Sequence, residues 1–101
     1  MEKEQIKKLI LQAMEQSDLK KEIKSLRLFG SCLHGKQSKD SDIDLLVEFL
    51  PQSRIGFSRL VAMQNIFELF LGKRIDLQTP EALSKYFRDD VLKQAEQIYE
   101  Q

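Results

Sequence analysis

Three aspartates and a glycine–serine pair are the residues of this chain whose types and spacing suit chemistry. Asp42 and Asp44 lie two apart in the run Asp42-Ile43-Asp44-Leu45-Leu46-Val47-Glu48-Phe49. On a strand that spacing puts both carboxylates on one face. Asp76 sits in a second short run, Arg74-Ile75-Asp76-Leu77-Gln78, suited to pairing beside the first. Converged carboxylates about 4 Å apart repel by about 4 kcal/mol per pair at an effective dielectric of about 20. Folding resists such a cluster unless protons or cations neutralise it. Mg²⁺ is the natural partner, because it binds through a few carboxylates plus substrate phosphates. Two such ions roughly 3.5–4 Å apart would stabilise both the attacking and the leaving oxygen of an in-line displacement at phosphorus.

Gly30-Ser31 ends an apolar run, Ser25-Leu26-Arg27-Leu28-Phe29. Glycine lets backbone approach a phosphate closely, N–H groups at a helix start point towards an anion, and the Ser31 hydroxyl adds a donor. A nucleoside triphosphate would lie between this cradle and the carboxylates. Each piece alone is common: Gly-Ser is usually an ordinary turn, an isolated Asp-x-Asp is more often a solvated or capping pair, and Asp76 alone would be a surface residue.

The elements that must position these groups follow from periodicity. Ile6, Leu9, Ile10, Ala13 and Met14 form one apolar helical stripe. Ser25–Phe29 and Asp42–Phe49 read as strands, separated by a short helical turn and a polar loop from Cys32 to Ser41. A long helix is expected from Phe57 to Leu71, closed by Gly72. Its apolar residues spread round the circumference, which suits either core filling or a partner-facing surface. Arg74–Gln78 is a third strand, Thr79-Pro80-Glu81 starts a further helix, and Val91, Leu92, Ala95, Ile98 and Tyr99 give the tail helical spacing. The expected order is α-β-α-β-α-β-α. This is an α/β fold with a small mixed β-sheet flanked by helices, in a single domain over residues 1–101.

Composition excludes several classes. Sixteen basic residues balance sixteen acidic ones, which argues against broad nucleic-acid binding. Cys32 is the only cysteine, so no intrachain disulfide forms, and as a nucleophile it has no suggested base. The N-terminal stretch alternates charged and apolar residues, unlike a signal peptide, and no apolar run approaches the ~18 residues of a membrane span. A cytoplasmic protein with no membrane association is expected.

Ten residues separate Ser31 from Asp42. With that spacing, LFGSCLHGKQSKDSDIDLLVEF resembles the signature of the polymerase-β-like nucleotidyltransferases, in particular the minimal nucleotidyltransferase (MNT) proteins, and KRIDLQTP resembles their third-carboxylate strand. The resemblance implies that Gly30 and Ser31 hold the triphosphate of ATP. It further implies that Asp42 and Asp44 bind two Mg²⁺ ions, and that Asp76 binds the catalytic ion and helps deprotonate the acceptor hydroxyl. Cys32 and His34 stand where many relatives carry arginine; Cys32 brings no charge, and His34 brings one only when protonated. Lys36 and Lys39 would compensate if they face the phosphates, although lysines in such loops are usually solvated.

MNT proteins are paired with HEPN-domain toxins. The resemblance therefore implies a hetero-oligomeric antitoxin that transfers AMP from ATP to a toxin hydroxyl, expected to be a tyrosine. An antitoxin that only binds and masks its toxin is the alternative, and intact Asp42, Asp44 and Asp76 count against it. A transferase acting alone on a small molecule is the third reading, disfavoured by the absence of a second domain in this sequence.

Overall fold

A computed structural model describes residues 2–30 and 42–101. Helix α1 (Lys3–Gln16) begins where Gln5 Oε1 accepts the Glu2 N–H at 3.1 Å, satisfying a donor the helix cannot. Its stripe Ile6, Ile10, Ala13 and Met14 is fully buried. Asp18 takes a left-handed turn (φ 54°), after which buried Leu19 enters the core. Strand β1 (Ile23–Phe29) follows, then β2 (Ile43–Phe49), helix α2 (Phe57–Leu71), β3 (Ile75–Gln78), α3 (Arg88–Gln94) and β4 (Glu96–Glu100). Gly72 closes α2 with φ 67°, its N–H bonded to the Glu68 carbonyl at 2.8 Å, a geometry glycine adopts without steric cost.

The sheet order is β3-β2-β1-β4, with β2 and β3 parallel and the other pairs antiparallel. The mixed α/β architecture is the expected one. Leu26, Leu28, Ile43, Leu45, Val47, Ile75 and Leu77 share a core with Ile6, Ile10, Met14, Met63 and Phe67 of the helices. Strand alternation therefore turns Asp44, Leu46 and Glu48 to the opposite face. Within α2 only Met63, Phe67 and Leu71 are buried, a single i, i+4, i+8 line, while Phe57 and Leu69 stay exposed. The helix thus fills the core along one stripe and also presents apolar side chains to solvent.

The C-terminal third differs from expectation. Instead of a helix from Thr79, Pro80–Ala82 forms one 3₁₀ turn. The Arg88 guanidinium gathers its carbonyls, donating to Pro80 O at 2.8 Å, Leu83 O at 3.1 Å and Glu81 O at 3.3 Å. The helical spacing of the tail persists only to Gln94; Ala95 turns extended (ψ 138°) and Glu96–Glu100 pairs with β1. A seven-residue helix gains little on its own, whereas β1 would otherwise carry an unpaired edge. Gln101 completes the pairing, its N–H bonding Lys24 O at 2.9 Å and its amide Ile23 O at 3.0 Å. Lys3 and Lys7 of α1 clasp Glu96, each at 2.9 Å, and these cations hold the Glu96 carboxyl below its ordinary range.

Candidate active site

The parallel register sets Asp44 of β2 directly beside Asp76 of β3, and the antiparallel register sets Phe29 of β1 on the other flank of Asp44. Registered neighbours share a face, so both carboxylates emerge side by side on the face away from α1 and α2. Their position follows from the sequence: Ile43, Leu45, Ile75 and Leu77 are drawn into the core, and period-two alternation turns the aspartates out.

Gly30 ends β1 against this pair. Its φ is +78°, and a Cβ there would overlap the Asp44 carboxylate. Glycine is thus required twice over, for a left-handed backbone and for close approach. Ser31, Cys32, His34, Lys36 and Lys39 follow in the sequence. These residues lie outside the described ones, as do the short helical turn and loop expected for the segment. Gly30 itself lies against the Asp44 side chain.

Electrostatics mark Asp44. Burial is the first cause pushing its carboxyl up from 3.8 to about 6, followed by the charges of Asp76 and Asp42. Asp42 lies just before β2, with a half-exposed side chain and the Arg74 guanidinium 3.9 Å away. At that distance and exposure the pair offsets little of the cluster's charge. Asp76 accepts a hydrogen bond from the Gln78 amide, Nε2 to Oδ2 at 2.7 Å.

The donor set suits Mg²⁺. A half-buried carboxylate crowded by two others holds excess negative charge that a hard cation would neutralise. Among the described residues no group of three or more Asp, Glu, His or Cys side chains is placed to hold a metal ion. An open pair is what an ion sharing its ligands with substrate phosphates requires. A cavity of about 290 Å³ is lined by Val47, Leu50, Thr79 and Glu81 among others.

The structure thus joins Gly30, Asp42, Asp44 and Asp76. The sequence reading missed the framework round Asp76. Gln78 on its carboxylate was signalled only by sharing a strand face two residues on. Also missed were Glu68 and Gln64 of α2, whose side-chain oxygens accept the Ile75 N–H at 3.0 Å and the Leu77 N–H at 3.2 Å. No sequence pattern announces those last bonds, because helix and strand meet only in the folded chain.

Comparison with known proteins follows the same lines. A Methanocaldococcus jannaschii protein provisionally named a protein adenylyltransferase is 38% identical over 64 residues, covering 63% of this chain and 64% of the relative. The match thus spans slightly less than two thirds of that relative's length. A toxin–antitoxin structure with AMP-PNP superposes with a TM-score of 0.74 at 22% identity, covering 94% of this chain and 73% of that one. Another, a tri-AMPylated Shewanella oneidensis HEPN toxin in complex with its MNT antitoxin, gives 0.67 at 18%, covering 97% and 72%. These two likenesses establish the fold. Residues 4–101 match the family described as Polymerase beta, Nucleotidyltransferase, and with its in-register aspartates behind Gly30 the chain belongs to that family.

Proposed function

We propose that this chain is a Mg²⁺-dependent protein adenylyltransferase of the MNT antitoxin type, moving AMP from ATP to a hydroxyl, a tyrosine on this reading, of a HEPN-domain toxin. The observation that carries it is the Asp44–Asp76 pair, side by side in register against the Gly30 turn, in a chain of nucleotidyltransferase family. Support comes from the name of the M. jannaschii relative and from the AMPylated toxin held by a protein of the same fold. The setting on this reading is the cytoplasm, in a hetero-oligomer with the toxin.

The residues would divide the work as follows. Gly30 and Ser31 would seat the triphosphate, where bare backbone admits phosphate oxygens. Asp42, Asp44 and Asp76 would hold Mg²⁺, which when bound supplies Lewis-acid charge at the reacting phosphate. Asp76 would receive the acceptor's proton while its carboxylate is kept in place by Gln78. The acceptor oxygen bonds to the α-phosphorus, the bond from that phosphorus to the bridging oxygen of the leaving pyrophosphate breaks, and the bonding pair departs with pyrophosphate. Pyrophosphate release that requires protein, ATP, Mg²⁺ and toxin together, and that disappears in Asp76→Asn, would support this assignment. Equal release without toxin would contradict the protein acceptor.

A second reading is an antitoxin that masks its toxin without catalysis. It is favoured by four large apolar side chains among the described residues, Phe57, Leu69, Tyr86 and Phe87, which are 79%, 84%, 82% and 63% exposed. Neutralisation retained in full by a variant lacking both Asp42 and Asp44 would select it.

A further inference from the structure

Among the described residues Asp76 lies on a strand with one strand neighbour, at the end of the sheet. Edge strands fray and slip in register unless something covers them, and a slip of one residue would turn Asp76 away from Asp44. Two side chains of α2 act against that. The Glu68 carboxylate accepts the Ile75 N–H at 3.0 Å and the Gln64 amide oxygen accepts the Leu77 N–H at 3.2 Å. These two residues are one turn apart on α2, and the two N–H groups flank Asp76 on the strand side away from β2. The spacing of four along the helix thus matches the spacing of two along the strand. Within the strand, Gln78 Nε2 reaches Asp76 Oδ2 at 2.7 Å. A carboxylate offers about four lone-pair sites, so this bond fixes the group's rotation and leaves Oδ1 to face a cation or hydroxyl.

We propose that Gln78 is the positioning residue for the Asp76 carboxylate, on a strand that Gln64 and Glu68 of α2 lock in register. This rests on the assignment of Asp76 to the metal and acceptor site. Partners that orient a metal-binding carboxylate typically contribute 10–100-fold to affinity or rate. Gln78 is half-buried at the end of β3, so a side chain of similar length without the amide should fold normally.

The test compares Gln78→Met, Glu68→Met and Glu68→Gln with the wild-type chain. Mn²⁺ binding is measured by electron paramagnetic resonance without nucleotide, and kcat and KM for ATP are measured separately. Gln78→Met is expected to weaken Mn²⁺ binding about tenfold and lower kcat at least tenfold, with KM for ATP and the thermal midpoint nearly unchanged. Glu68→Met should lower kcat and speed amide exchange at Ile75, whereas Glu68→Gln, which keeps an acceptor oxygen, should restore both. Mn²⁺ affinity and kcat within twofold of wild type in Gln78→Met would overturn the positioning role while leaving the transferase assignment standing. A wild-type chain that transfers no AMP would sink that assignment instead, and the Mn²⁺ comparison would still decide the role of Gln78.

Discussion

Replacing Asp44 by asparagine removes a charge that burial and two neighbouring aspartates disfavour, at almost no change in volume. Because the Asp44 carboxyl is raised from 3.8 to about 6, the native chain binds more protons than the unfolded chain between those values. Stability contributed by this group is therefore full below about pH 4 and falls as pH rises through 6. Moving the carboxyl from 3.8 to about 6 corresponds to roughly 3 kcal/mol if nothing screened it. Asp44 is only half-buried, and solvent screening reduces the figure to about 1 kcal/mol. Asp44→Asn should accordingly raise the thermal midpoint of the metal-free protein by about 4–8 °C at pH 7.5. The gain should shrink towards zero near pH 4. Scanning calorimetry in chelator across pH 4–8 reads this directly, and Mg²⁺ with a non-hydrolysable ATP analogue should then stabilise the wild type more than the variant. A variant less stable than wild type at pH 7.5, or a difference that does not change with pH, would refute the electrostatic argument.

Other substitutions separate the roles of neighbouring residues. Gly30→Ala forces a left-handed alanine whose Cβ meets the Asp44 carboxylate; it should cost about 1–3 kcal/mol and lower transfer at least tenfold, read by denaturant titration beside kinetics. Phe67→Ala empties a fully buried site in the α2 stripe and should destabilise by about 3–5 kcal/mol, visible as a shifted urea midpoint. Leu69→Glu alters a side chain that is 84% exposed, so stability should stay within about 0.5 kcal/mol. If α2 meets the toxin, calorimetric titration of that variant should show weakened complex formation with transfer to any residual complex intact.

The line of aspartates on one sheet face was legible because it depends on local alternation. Asp-x-Asp on a strand whose intervening residues are apolar leaves one choice of face, and Ile75 and Leu77 impose the same choice on Asp76. Pairing partners were less legible. The register that sets Asp44 beside Asp76 follows from parallel packing under α2, a contact between segments some thirty residues apart. The tail misled for a physical reason: Val91, Leu92, Ala95, Ile98 and Tyr99 satisfy a helical period, yet Glu96–Glu100 gains more by completing the edge of β1 than by prolonging a short helix. Pro80 at a helix-start position gave only one turn, because Leu83 extends and Arg88 satisfies the freed carbonyls. Gln64 and Glu68 carry no motif, since their bonds exist only once helix and strand are side by side.

On the proposed function, the acidic pair behind Gly30 supports transfer of a nucleotide to a partner protein. Intact-mass analysis of a co-expressed HEPN-domain toxin, after incubation with this chain, ATP and Mg²⁺, tests it most directly. A gain of one AMP or a small multiple is expected, absent when Asp42→Ala replaces the wild-type chain. An unmodified toxin in a stable complex with the wild-type chain would contradict it and leave masking as the function.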